Sequence, residues 1–222
     1  MGTFVAWLNE TFFAFDHGII DWIHGLLRNG AFWAPCMTFI GHGLIMVAFA
    51  LVLFLFAPTR KGAVCLVVSV LIGAVITNLL LKDWIARPRP FSENETYRLW
   101  WQMLGATEET DGAFPSGHGT AAAAGMIGLC FASTKKQNRV FIPVSVAYFL
   151  LAGVARIYLM VHYPTDLLAG AVVGLVAAVL GMLLVRLLWK LCNRWRGVKL
   201  FRWFLDLDVR QLFKKRQKPA AV

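Results

Sequence analysis

The stretch Ala155–Asp166, ARIYLMVHYPTD, sets Arg156, His162 and Asp166 between two long apolar runs. Proline is tolerated in the first turn of a helix and poorly elsewhere in one. The next apolar run is therefore expected to begin as a helix at about Pro164. Asp166 then lies in its first turn and His162 just before it. A carboxylate so placed can accept a hydrogen bond from the imidazole and fix its tautomer, which leaves the other ring nitrogen free to attack or to hold a proton. Arg156 and the helix N-terminus both favour an anion at that spot. The competing reading is a membrane-surface loop carrying a few polar residues.

Composition sets the surroundings of this stretch. Of 222 residues, 59% are hydrophobic and 15% charged, against about 25% charged in soluble domains. Such a chain is expected to be an integral membrane protein of one domain, residues 1–222. The apolar runs predict an all-α polytopic bundle of about five to six transmembrane helices over residues 31–190. One run ends near Ala57, and the others cover 62–81, 116–132, 140–155 and 164–188. Residues 1–30 place aromatic and aliphatic side chains at helical spacing, which predicts an interfacial amphipathic helix. A helix packed on the bundle fits equally well. Residues 191–222 interleave Trp and Phe with Lys and Arg and read as a basic tail on anionic lipid. The net charge of +10 is then explained by that tail and the loops, with no nucleic acid as partner. Cys36, Cys65, Cys130 and Cys192 lack paired or CxxC spacing and read as small apolar fillers. No cleavable leader is expected, because Asn9, Glu10 and Asp16 interrupt the first apolar run.

Lys and Arg at the span ends set the expected orientation. Arg60, Lys61, Lys135, Lys136, Arg139 and the tail fall on one side, which is then cytoplasmic. Residues 82–115 and 156–165 fall on the extracytoplasmic side. That side also holds Lys82, Arg87, Arg89, Arg98 and Arg156, against the bias. Anion binding would account for them.

Two further polar clusters share that face with the opening stretch. In KDWIARPRP, Lys82 and Arg89 are seven apart, about two helical turns, so they can face one way. The alternative is snorkelling at a span end. In FPSGHGT, Ser116 is a plausible N-cap, and Ser116 and Gly117 would offer free backbone N–H groups as an anion cradle. His118 would point from the first turn into the same space. The alternative is an ordinary cap beside an interfacial His. Together the clusters suit phosphoryl transfer without a metal. Cations and N–H donors hold the phosphoryl oxygens, one His attacks phosphorus and the other protonates the leaving oxygen. Glu93, Glu95, Glu108, Glu109 and Asp111 share this face, but none has ligand spacing with a His, so no metal or cofactor is expected.

These clusters resemble the signature of the type 2 phosphatidic acid phosphatases, or lipid phosphate phosphatases, of the bacterial membrane type. K-x6-R-P corresponds to Lys82 through Arg89-Pro90, P-S-G-H to Pro115–His118, and S-R-x5-H-x3-D to Arg156, His162 and Asp166. All spacings match, and the resemblance extends over residues 62–185. Ala155 departs from it, standing where the family has Ser and removing one hydroxyl donor. The resemblance implies that His162 is the nucleophile of a phosphohistidine intermediate, that Asp166 orients it, and that His118 is the general acid and later the base. It implies a phosphate cradle of Lys82, Arg89, Arg156, Ser116 and Gly117. Arg87 is added from this sequence as a candidate second contact for a diphosphate. The expected function is a metal-independent membrane lipid phosphatase acting on undecaprenyl diphosphate, phosphatidylglycerophosphate or phosphatidic acid, the first ranked highest. The alternatives are a lipid phosphotransferase and a non-catalytic, phosphate-recognising membrane transport or binding protein.

Overall fold

The computed structural model describes residues 2–211, which form helices and connecting turns with no strand. In chain order the helices are α1 (Gly2–Thr11), α2 (Phe13–Leu26), α3 (Gly30–Ile40), α4 (Leu44–Phe54) and α5 (Ala57–Ala74), which runs on through a π-helical segment, Val75–Leu81. Then come α6 (Lys82–Ile85), α7 (Pro90–Glu93), α8 (Glu95–Met103), α9 (Gly117–Ala132), α10 (Lys135–Tyr158), α11 (Pro164–Arg194) and α12 (Lys199–Asp206). The protein is thus an all-α polytopic membrane bundle. Three helices, α5 with its continuation, α10 and α11, are long and apolar enough to cross a bilayer. The pair α3 and α4, bent by 43° where Gly41–Gly43 interrupt it, makes a fourth candidate. α9 has 16 residues, about 24 Å at 1.5 Å per residue, and packs centrally against α5, α10 and α11.

Small residues let these helices approach closely, as is common where lipid supplies no hydrophobic drive for association. A Cβ placed on Gly174 of α11 would lie 2.6 Å from the Ala123 Cβ and 2.8 Å from the Ala124 N of α9. One on Gly170 would lie 2.8 Å from the Ser116 O. Outward faces carry Leu79, Val140, Val172, Leu183 and Leu187, all exposed, as a lipid-facing surface requires.

The basic connections meet at one end of the bundle. Buried Arg60 donates to the carbonyls of Phe54 (3.0 Å), Phe204 (2.8 Å), Leu205 (3.1 Å) and Leu207, which docks α12 onto the α4–α5 turn. Gln137 at the start of α10 donates to the Pro58 O at 2.9 Å. Lys82, Ser116, Arg156 and His162 lie at the other ends of the same helices. Phe213, Lys214, Lys215, Arg216 and Lys218 of the expected basic tail lie outside the described residues.

Two sequence expectations need correcting. The segment expected as one helix over residues 1–30 instead holds two, Gly2–Thr11 and Phe13–Leu26, that part at Phe12, and α2 packs on α10 and α11. Leu8, Asp16, Ile20 and Ile23 face inward, and Trp7, Phe13, Phe15, Trp22 and Leu26 outward. The helix expected to carry both Lys82 and Arg89 stops at Ile85, where Ala86 turns left-handed at φ 49°. Pro88 and Pro90 lack N–H donors, so the chain crosses to α7 without helical bonds. The two cations still converge, through a third segment described below.

Candidate active site

Each signature residue is held by a specific local device. The Ser116 Oγ accepts from the Gly119 N at 3.1 Å and caps α9. The Ser116 N–H donates to the Asp166 O at 3.0 Å, joining the first turns of α9 and α11. It is therefore not free for an anion, contrary to the sequence expectation. Gly117 and His118, in the first turn, keep backbone N–H groups with no intrahelical acceptor. A Cβ on Gly117 would lie 3.8 Å from the Lys82 Nζ, so the glycine leaves a ligand room to reach both. Arg89 is pinned by its Nη1 to the Val161 O at 2.7 Å and by its Nε to the Asp111 O at 3.0 Å. Arg156 comes from the last turn of α10.

His162 is fully buried, and neither ring nitrogen has a hydrogen-bond partner. Buried polar atoms are nearly always paired, so two orphans on one ring mark a position built for a ligand. Its Nδ1 stands 3.6 Å from the Asp166 Oδ2, so the two face each other without the hydrogen bond expected from the sequence. Asp166 is held in place by the Tyr163 N on Oδ2 at 2.8 Å and by the Arg87 Nη1 on Oδ1 at 2.6 Å. Burial, and then the charges of Arg89, Arg156 and Lys82 and the neighbouring His118, push the His162 pKa well below 6.5. The imidazole is thus neutral at pH 7, as a nucleophile must be. His118 and Arg156 line a chamber of about 230 Å³ with Thr38, Gly41, His42 and Glu109. Ala155 is fully buried, and a Cβ on Gly41 would lie 3.7 Å from its own.

The loop between α8 and α9 supplies two carboxylates that sequence reasoning did not assign to the site. Asp111 pairs with Lys82 and, at 2.6 Å, with the Arg89 Nη2. Glu109 pairs with the Arg89 Nη2 at 2.7 Å and with Arg156. Burial alone would raise the Asp111 pKa, but its bonds to Lys82 and Arg89 hold it below the usual carboxylate value. All three cations are therefore paired with carboxylates of this loop. Only the surplus of fixed cations on this face hinted at it from sequence. Among the described residues, no three His, Cys, Asp or Glu side chains come together as a metal-binding set.

Residues 62–190 match the PAP2 superfamily. The undecaprenyl-diphosphatase BcrC of Bacillus subtilis is 31% identical over 199 residues, covering 88% of this chain and 90% of the relative. The chain belongs to the PAP2 superfamily. Phosphatidylglycerophosphatase B of B. subtilis is 27% identical to this PAP2 chain, covering 76% of it and 71% of the relative. The crystal structure of a transmembrane PAP2 type phosphatidylglycerolphosphate phosphatase from B. subtilis superposes with a TM-score of 0.58 at 22% identity, over 83% of this chain and 91% of the other. That of Aquifex aeolicus LpxE gives 0.54 at 18% identity, over 76% and 94%. These two likenesses are of fold.

Within this PAP2 site the structure corrects the reading of Arg87 as a second phosphate contact. Its guanidinium is 1% exposed and points behind Asp166. Its Nε donates to the Asn9 Oδ1 (2.9 Å), its Nη1 to Thr165 Oγ1 (2.8 Å) and Asp166, and its Nη2 to the Asp16 Oδ2 (2.9 Å). It also lies 4.0 Å over the Tyr163 ring. Four of its five N–H donors are committed to Asn9, Thr165, Asp166 and Asp16, so the buried guanidinium serves the protein rather than a second phosphate.

Proposed function

We propose that this PAP2 protein is a metal-independent lipid phosphatase that removes a terminal phosphate through a phosphohistidine at His162. One observation carries the reading: the buried, unpartnered ring of His162 sits among Lys82, Arg89, Arg156 and His118. Asp166 faces Nδ1, so Nε2 is the nitrogen that attacks. Burial and then Arg156 lower the His118 pKa to about 4 in the free site, so His118 takes up its proton as the phosphate dianion binds and offsets those cations. The Nε2–P bond then forms as the P–O bond to the lipid breaks, and His118 gives that proton to the departing oxygen. His118 then takes a proton from water, whose oxygen attacks phosphorus. The Nε2–P bond breaks and inorganic phosphate leaves. Lys82, Arg89, Arg156 and the N–H groups at the start of α9 offset charge on the phosphoryl oxygens throughout, while Asp166 stabilises the cationic ring.

The chamber meets a wider apolar groove of about 920 Å³, with Thr38 and His42 lining both. Pro35, Phe39, Leu44, Ile45 and Leu104 make the groove suited to a hydrocarbon tail. Undecaprenyl diphosphate is the first-ranked substrate, supported by the similarity to BcrC. Phosphatidylglycerophosphate and phosphatidic acid follow. An extracytoplasmic site and a cytoplasmic α12 are supported by the basic connections that gather at the far end of the bundle. α9 then counts as a fifth crossing.

Purified protein assayed for phosphate release from each of the three lipids, with and without EDTA, tests this. Release from at least one lipid alone, undiminished by EDTA, is expected, and it would also count against a phosphotransferase. Loss of turnover by several orders of magnitude in His162→Ala is expected and would exclude a non-catalytic binding protein. No cleavage of any lipid, or arrest by chelation, would overturn the proposal.

A further inference from the structure

We propose that Asp16, on α2 and outside the segment matched to the PAP2 superfamily, is a positioning residue for phosphoryl transfer. It acts through Arg87 on Asp166, and so on His162. Asp16 is 1% exposed. Its Oδ1 accepts from the Thr165 N at 2.9 Å, and its Oδ2 from the Thr165 Oγ1 at 2.7 Å and the Arg87 Nη2 at 2.9 Å. Arg87 therefore bridges two buried carboxylates, one on α2 and one in the first turn of α11. Burying charge is costly unless every charge is paired and hydrogen-bonded. Here two carboxylates share one guanidinium; burial raises the Asp166 pKa to about 7 while Arg87 opposes that rise, so the negative charge facing the His162 ring depends on how Arg87 is divided between Asp166 and Asp16.

That division has a chemical use. As Nε2 bonds to phosphorus the ring becomes cationic, and Nδ1 must be stabilised from the Asp166 side. Were Arg87 paired with Asp166 alone, the pair would be nearly neutral toward the ring. Asp16 draws part of the guanidinium charge away and, with Asn9 on Nε, fixes where the Asp166 Oδ1 is held. The charges of Arg89, Arg156 and Lys82 and the neighbouring His118 oppose a cation on the same ring. They make the negative charge facing it more necessary. The N-terminal helices thus complete the catalytic centre as well as packing on the bundle.

This inference rests on the proposed phosphatase reading, and its test separates the two. Asp16→Asn keeps an oxygen for the Thr165 N but removes the charge. Its kcat toward the lipid that the wild type cleaves should fall about 10- to 100-fold, the range seen for removal of outer partners of functional groups, with KM within threefold. Asp16→Glu restores the charge and should recover most of kcat. Should Asp16→Asn not survive purification, Asn9→Ala, which removes a neutral partner of Arg87, should lower kcat severalfold. Wild-type kcat in Asp16→Asn or in Asn9→Ala, a rise in KM with kcat unchanged, or no recovery in Asp16→Glu would overturn the role of Asp16. If the wild type cleaves no lipid, the phosphatase reading fails first. ¹⁵N-histidine NMR in micelles, with His162 assigned by substitution, then still decides: an unchanged His162 signal in Asp16→Asn overturns the proposal, and a shifted one supports it.

Discussion

Glu109→Gln should make the protein bind phosphate more tightly. The Glu109 carboxylate contacts Arg89 at 2.7 Å and also Arg156, so a phosphoryl group must displace it to reach either cation. Two unit charges at about 4 Å attract by roughly 4 kcal/mol in a medium of effective dielectric 20. Little of that survives as a net term. The Glu109 side chain is 24% exposed, and on release it regains water and the loop regains freedom. Partly exposed ion pairs are worth about 0.2–1 kcal/mol each and hydrogen bonds to charged groups about 1.5–3. A combined cost of about 1–2 kcal/mol for opening both contacts is reasonable. At about 1.36 kcal/mol per tenfold, the variant's KM and its inhibition constants for inorganic phosphate and orthovanadate should fall about 5- to 30-fold. The glutamine retains a hydrogen-bonding oxygen, so the loop stays ordered. Initial rates in mixed micelles with both inhibitors measure this. Anion affinity unchanged or weakened in Glu109→Gln would refute the competition argument and make Glu109 a builder of the cradle.

Four further outcomes are expected. His162 is held below 6.5 while burial raises the Asp166 pKa to about 7, so the acid limb of kcat/KM should lie near pH 7 and report protonation of Asp166; a profile flat down to pH 5.5 would contradict this. Below pH 6.5 the unfolded chain binds a proton at His162 that the native protein does not, so its contribution to thermal stability should fall as pH drops from 6.5 toward the folded value, and melts of wild type and His162→Ala across that window check the sign. Gly170→Ala would bring a methyl to 2.8 Å from the Ser116 O and 3.0 Å from the Thr120 N; it should cost about 1–3 kcal/mol of stability by overpacking and lower turnover at least tenfold by separating Ser116 from Asp166, and normal values of both would refute this. Arg60→Ala removes the clamp on α12 at the end away from the site, so it should lower the thermal midpoint in detergent while leaving kcat unchanged, and a large loss of kcat would refute the separation of the two ends.

Features set within one segment could be read directly. The helix start at Pro164, the cap at Ser116 and the apolar lengths depend on neighbours a few residues apart, where local geometry dominates. The placing of His162 against Asp166, four residues on, belongs to the same class. Features set between segments could not be read in this way. Asp16 and Thr165 are 149 positions apart and Arg156 and Glu109 47 apart, and no local rule pairs them. Arg87 is the instructive failure. Its sequence position beside Arg89 suggested a shared role, but after the left-handed turn at Ala86 the Arg87 guanidinium bonds Asp166, whereas that of Arg89 bonds the Val161 O and Asp111.

The amino-acid order alone determined that this chain is a helical membrane protein, that its basic connections fall on one side, and which side chains form the family signature. Hydrophobic run length and short-range spacing depend on little else. Only the tertiary structure decided which charges neutralise one another, since an ion pair depends on distance in space and on the water excluded around it. It therefore decided that Glu109 and Asp111 pair with Lys82, Arg89 and Arg156, and that Arg87 bridges Asp16 and Asp166.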